Sequence, residues 1–309
     1  MSEISIVDYT SWKPYEGIAE GSGRSEKLWL QSVENRKIGL FKFPKTDPVT
    51  QQATYEHISE HLAYRIGEIL VVDTAVVRIG RYHNRIGSMS YLVNRQNEEL
   101  REGAWFILGR HPHYNTETMQ DEDTGKFYSL EYLFEVLDGS VFRRFWIAMM
   151  LFDFLIGNSD RHQNNWAMLL PIEDRNKSVI RIRPCPLYDN GSSLCCYIND
   201  MQVEQYLGRD HNRIQSLIDS KSRSMIRIDG NYKKKPLHSE VVRYLLKTYP
   251  ETKIVSDKFI ESLSETQVLE LIDAYPDHLL GPSRKELIKR FLLGKIHLLK
   301  LIRGATYND

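Results

Sequence analysis

The stretch Gly157-Asn158-Ser159-Asp160-Arg161-His162-Gln163-Asn164-Asn165-Trp166 separates two apolar segments. Before it comes Phe145-Trp-Ile-Ala-Met-Met-Leu-Phe-Asp-Phe-Leu-Ile156. This run is too short for a membrane span of about 20 residues and carries Asp153, so it reads as a buried core helix that Gly157 closes. After the stretch, Trp166–Leu170 reads as a short strand. A polar loop held between rigid elements is where catalytic groups collect. Asp160 and Asn165 stand five residues apart in it. A carboxylate there can accept or orient a hydroxyl proton, and an amide oxygen can bind a metal ion. Taken alone, an Asp and an Asn at this spacing are common in polar loops.

Working outward, Val179–Arg183 reads as a second strand, joined to the first by the polar turn Glu173–Lys177. It leads into Pro186-Leu-Tyr-Asp189-Asn-Gly-Ser-Ser193. Asp189 precedes the turn pair Asn190-Gly191. By itself it is an ordinary turn aspartate; beside the Asp160 loop it is a second carboxylate suited to Mg²⁺ on phosphates. Upstream, Ala19-Glu-Gly-Ser-Gly-Arg-Ser-Glu-Lys27 carries Gly21 and Gly23. Glycines let backbone N–H groups approach phosphate oxygens, although two glycines also suit a plain loop. Phe41-Lys42-Phe43 sets a lysine between aromatics on a strand, as an edge-strand lysine or as a point charge for phosphate. Glu56 opens a helix over Tyr55–Ile66, where it either pairs with Lys42 or favours the helix dipole. The order of these five features is that of a kinase: glycine loop, strand lysine, helix glutamate, Asp-x4-Asn, second Asp.

The expected fold class is α+β in two lobes. Residues 1–97 form a small β-rich lobe, with strands over Leu28–Gln31, Ile38–Phe43, Ala75–Ile79 and Ser88–Val93 and one helix. Residues 98–309 form a mainly helical lobe, beginning with the weakly patterned segment 98–128. Ser129 is the expected N-cap of Leu130–Leu137, Gly139 its stop, and Ser140 the cap of the long apolar helix. Ser264-x-x-Gln267 and Ser283-x-x-Glu286 are capping-box patterns that open the last helices.

Composition narrows the class. Of 309 residues, 41% are hydrophobic and 27% charged, which is ordinary for a globular protein. Lysine plus arginine equals aspartate plus glutamate at 41 each, so nothing indicates nucleic acid or an anionic membrane as a partner. The run Lys233-Lys234-Lys235 reads as a solvated loop. Three cysteines, two of them adjacent, make neither a disulfide framework nor a zinc site. The N-terminus has no signal-peptide pattern, and the expected location is cytoplasmic.

On Asn158–Asn165, Leu187-Tyr-Asp189-Asn-Gly, Leu40-Phe-Lys-Phe-Pro44 and the helix from Glu56 through Leu62-Ala63, the chain resembles the HipA-like serine/threonine kinases. These are a bacterial group named for the HipA toxin, and the likeness is to its compact HipT/CtkA-like members. It runs from about residue 19 to about residue 300. The Asp-Arg-His-x-x-Asn form is also similar to that of phosphoinositide kinases. The resemblance implies a two-lobed protein-kinase-like fold that uses ATP and Mg²⁺ to phosphorylate a protein substrate. It implies Asp160 as catalytic acid/base, His162 bracing that loop, Asn165 and Asp189 as metal ligands, and Lys42 on the ATP phosphates. Gly21, Ser22 and Gly23 would cover the nucleotide, and the hinge Tyr91-Leu92-Val93 would meet adenine. Ser22 and Ser25 are the autophosphorylation candidates, although Glu20 stands where HipA has its modified serine. An antitoxin is the partner implied for a toxin of this kind, but the extra N-terminal subdomain of full-length HipA has no counterpart here. Two alternatives stay open: a kinase of small-molecule or lipid hydroxyls, and a non-catalytic nucleotide-binding scaffold.

Overall fold

The computed structural model describes residues 4–18, 26–95, 97–172 and 182–305. Gly21, Ser22, Gly23 and Ser25 lie outside the described residues. The first elements are β1 (Val7–Asp8), β2 (Lys13–Pro14), β3 (Lys27–Gln31), β4 (Ile38–Lys42), α1 (Glu56–Leu70), β5 (Val77–Tyr82) and β6 (Arg85–Tyr91). Then follow β7 (Glu98–Glu102), α2 (Gly103–Arg110), β8 (Tyr114–Asn115), β9 (Gln120–Asp121), α3 (Leu130–Val136), α4 (Ser140–Ile156), β10 (Ala167–Pro171) and β11 (Arg183–Pro184). The rest is helical: α5 (Asp200–Leu207), α6 (His211–Ile218), α7 (His238–Thr248), α8 (Glu251–Ser262), α9 (Glu265–Asp273) and α10 (Pro282–Ala305).

The chain divides into two compact units, each built from three segments. The first comprises Met1–Val93, Tyr188–Gln215 and Leu263–Gly294; the second comprises Asn94–Leu187, Ser216–Ser262 and Lys295–Asp309.

In the first unit a six-stranded sheet runs β1-β5-β6-β4-β3-β2. Only β1–β5 is parallel; the other pairs are antiparallel. The β5–β6 hairpin turns on His83 and Asn84, with φ of 45° and 64°. Two consecutive left-handed residues give a turn whose twist matches that of the strands. One face of the sheet buries Tyr9, Leu30, Phe41, Phe43, Tyr82 and Met89. In β4 the pleat buries Gly39 and Phe41 and leaves Lys42 half-buried at the strand end, in register with Ser88 and Lys27.

In the second unit β11-β10-β7 form an antiparallel sheet, and α4 is buried along most of its length. Gly139, expected as a stop, is the N-cap of α4 with φ of 118°, so Ser140 is the first helical residue and not the cap. Ser129 does precede α3, but its hydroxyl makes no capping bond. The Leu130 amide donates to the Arg227 carbonyl at 2.8 Å instead. The Ser264–Gln267 capping box forms as expected, whereas Ser283 lies inside α10, which opens on Pro282. Among the described residues no helix is long and apolar enough to cross a membrane.

Three histidines are buried. Burial pushes His57 down to about 4, and His61 and His238 down to about 3. All three folded values lie below the ordinary 6.5, so between those values and 6.5 the unfolded chain binds more protons. The stability they contribute is complete above about pH 6.5 and is lost as pH falls, at about 1.4 kcal/mol per pH unit for each histidine. The urea midpoint is expected to drop steadily from pH 7 to pH 5; a flat profile across that range contradicts it.

Candidate functional site

In the first unit Lys42 meets two carboxylates. Its Nζ donates to Asp189 Oδ1 at 2.8 Å and lies 3.8 Å from Glu60 Oε2. Burial works against the ammonium charge, but Asp189 and Glu60 outweigh it and raise the Lys42 pKa. Glu60 is itself buried, and its Oε1 accepts the Asn190 amide at 3.1 Å. Asp189 adopts a left-handed backbone, φ 55°, which turns the chain so that Asn190 and Gly191 come onto α1. A Cβ at Gly191 would stand 3.0 Å from Glu60 Oε2, so any larger residue there would press on that carboxylate.

The lysine's helix partner is therefore Glu60, not Glu56. Glu56 accepts from the Lys45 amide at 2.9 Å, Lys45 Nζ at 3.0 Å, Thr54 Oγ1 at 3.0 Å and Tyr197 OH at 2.7 Å. Residues 56 and 60 lie one turn apart on the same face of α1, so either satisfies the sequence pattern. Lys45 sits nearer the helix start and occupies Glu56, which leaves the next turn for Lys42. In the expected hinge, the Tyr91 and Leu92 amides donate to the Val76 and Ile38 carbonyls, both at 3.0 Å, while Val93 lies past the strand end.

In the second unit Gly157 ends α4 in the left-handed conformation, φ 67°, and the Asp160 loop leaves from there. The loop is pinned by a buried ion pair. Arg161 Nε and Nη2 donate to Asp153 Oδ2 and Oδ1 at 3.0 and 2.8 Å, with side chains 1% and 2% exposed. Arg161 Nη1 continues to the Asn165 carbonyl at 2.7 Å. Asn165 Nδ2 donates to the Asp160 carbonyl at 2.6 Å, which leaves Oδ1 as the side-chain oxygen that could meet a cation. The Asp160 amide donates to Asn158 Oδ1 at 3.1 Å. The Asn164 amide donates to His162 Nδ1 at 3.2 Å, so that nitrogen is an acceptor. Trp166 closes the loop, its indole N–H on Tyr128 OH at 2.7 Å.

A buried chain of groups beneath this loop carried no sequence signal. Lys295 Nζ donates to Ser222 Oγ at 2.7 Å, Ser222 Oγ lies 3.0 Å from His238 Nδ1, and His238 Nε2 lies 2.9 Å from the Asn158 carbonyl. A lysine only donates, so the Ser222 hydroxyl proton goes to His238 Nδ1 and Nε2–H goes to the carbonyl. Burial keeps His238 neutral, which that arrangement requires. Asp153 did have a signal: it is the one charged residue in the apolar run Phe145–Ile156.

Asp189 and Asn165 both offer hard oxygens, the donor type that Mg²⁺ takes. Lys42, Glu60 and Asp189 form one cluster, and Asp160, His162 and Asn165 another, each within its own unit.

The sequence model of the HipA-like C-terminal domain matches residues 20–233. The serine/threonine-protein kinase CtkA of Helicobacter pylori is 23% identical over 227 residues, which are 70% of this chain and 66% of that protein, just under two thirds of its length. The crystal structure of the Helicobacter pylori proinflammatory kinase CtkA superposes with a TM-score of 0.81 at 19% identity, covering 98% of both chains. Shewanella oneidensis HipA, solved with HipB and operator DNA, superposes with a TM-score of 0.52 at 12% identity, covering 93% of this chain and 66% of that one. The fold is the α+β, two-lobed fold of these proteins.

Proposed function

The chain belongs to the HipA-like C-terminal domain family, and on that premise we propose that it is an ATP- and Mg²⁺-dependent kinase acting on serine or threonine of a protein. The observation that carries this reading is the Lys42–Asp189–Glu60 cluster. A lysine held charged at a strand end by a buried glutamate suits anionic phosphates. Asp189 and Asn165 would hold the magnesium, which when bound neutralises charge on the phosphates. Asp160 would take the acceptor hydroxyl's proton, with its position set by Asn158, Arg161 and Asn165. Catalysis on this plan is positioning and charge stabilisation, with no covalent enzyme intermediate.

The test is incubation with γ-labelled ATP and Mg²⁺, alone and with a bacterial lysate, beside Asp189→Asn. Label on the chain or on a discrete lysate band, absent with the variant, is the expected result. Demonstrable ATP binding without label on any protein contradicts it. Mapping the label tests Ser22 and Ser25 as autophosphorylation sites. Because the Shewanella relative was solved with HipB, co-purification with the product of a neighbouring gene is the corresponding test for an antitoxin partner.

The geometry also separates the two helix glutamates. Glu60→Gln is expected to lower transfer about a hundredfold through misplacement of Lys42, whereas Glu56→Gln lowers it only a fewfold. Steady-state kinetics of the two variants decide it, and the reverse ranking would restore Glu56 as the lysine's partner.

A further inference from the structure

Two depressions in the second unit adjoin through Ile228, Asp229 and Tyr232 and make one groove. The smaller, about 370 Å³, is lined by Arg227, Lys234 and Lys235. The larger, about 1000 Å³, presents the rings of Phe134, Tyr244 and Tyr249.

Among the described residues no carboxylate forms an ion pair with the basic end. Arg227 is 7% exposed, its Nε donates to the Lys233 carbonyl at 3.1 Å, and its guanidinium lies 4.7 Å from the Phe127 ring centroid. Among the described residues its buried Nη1 has no hydrogen-bond partner and no carboxylate pairs with it. Lys235 is half-buried and likewise has no carboxylate in ion-pair contact among the described residues. Burial and the neighbouring Arg227 both lower its pKa, against the pull of Asp160. The two acids on this rim are engaged with backbone: Asp229 accepts the Asn231 amide at 2.8 Å and Glu240 the Leu237 amide at 2.6 Å. Adjacent, partly desolvated like charges are costly unless an anion joins them.

The position of this end fits the same occupant. Lys235 is within electrostatic reach of Asp160, so the basic end lies on the side of the second unit that faces that loop's charge. From there the groove continues past Tyr232, which is 67% exposed, to the stacked pair Phe134 and Tyr249, whose centroids are 4.8 Å apart. The larger depression alone reaches the top of the usual small-molecule range, about 300–1000 Å³, and the two together suit an extended chain.

We propose that this groove docks the acceptor polypeptide. An acidic or phosphorylated residue beside the target serine or threonine sits against Arg227, Lys234 and Lys235, and an apolar or aromatic side chain further along sits on Phe134, Tyr244 and Tyr249. The inference rests on the kinase reading for its substrate, and its test separates the two. Binding of fluorescein-labelled peptides to the full chain is followed by anisotropy without nucleotide. One peptide has a single serine flanked by glutamates with a phenylalanine downstream; its control carries glutamines instead. The acidic peptide is expected to bind at least about tenfold more tightly. The double variant Lys234→Ala/Lys235→Ala brings it down to the level of the control. Both lysines are at least partly exposed, whereas Arg227 is avoided because its buried guanidinium also holds the Lys233 carbonyl, so its loss would disturb the loop itself. Equal binding of the two peptides, or no change in the double variant, overturns the groove assignment. Tight, lysine-dependent binding with no transfer from γ-labelled ATP to any acceptor overturns the kinase reading and leaves the groove standing.

Discussion

Asp160→Asn is expected to reduce phosphoryl transfer about a thousandfold and to leave the thermal midpoint nearly unchanged. The two halves of this expectation come from different atoms. Transfer needs a carboxylate that can accept a proton, and an amide cannot replace it. The loop, by contrast, is braced through the backbone of residue 160: its N–H meets Asn158 Oδ1, and its carbonyl receives Asn165 Nδ2 and the His162 amide, the last at 2.9 Å. None of these changes when the side chain becomes an isosteric amide. Initial rates with labelled ATP, together with a thermal melt, provide the check. More than a tenth of the wild-type rate in the variant would remove Asp160 from the proton-accepting role.

Asp153→Ala gives the largest expected loss of stability, about 3–5 kcal/mol. The pair it breaks is almost completely buried, with two short bonds to Arg161 and a third from Asn158 Nδ2 at 3.1 Å. Removing the acid strands a guanidinium where water cannot reach it. For a chain of this size the melting temperature is expected to fall on the order of 10 °C. The double variant Asp153→Leu/Arg161→Met is expected to recover much of that loss, because no charge is then left unpaired. It is not expected to recover activity, since Arg161 also holds the Asn165 carbonyl and so the shape of the loop. A melt of Asp153→Ala within about 2 °C of the parent would show that the pair is not what anchors the loop.

Much of this could be read along the chain because the signals are local. The apolar run to Ile156 with Gly157 after it, the Ser264–Gln267 capping box and the Asp160–Asn165 spacing each depend on residues within one or two turns of each other. The structure returns them where the pattern puts them. Family membership follows from the same local motifs, set in order. Features needing longer range were beyond that reading. The choice of Glu60 over Glu56 is invisible to a helical period, since both lie on one face; it is settled by where the β4 strand end and Lys45 sit in space. The lysine run at 233–235, read as a solvated loop, supplies one half-buried cation and a carbonyl that fixes Arg227. The Lys295–Ser222–His238 chain joins residues 73 and 16 positions apart, and burial alone makes its histidine neutral. Local spacing and hydrophobic period thus determined the elements, the family and the order of the candidate groups. Which carboxylate meets which cation was decided only by the tertiary structure, because desolvation and ion pairing depend on distances between segments that the sequence does not order.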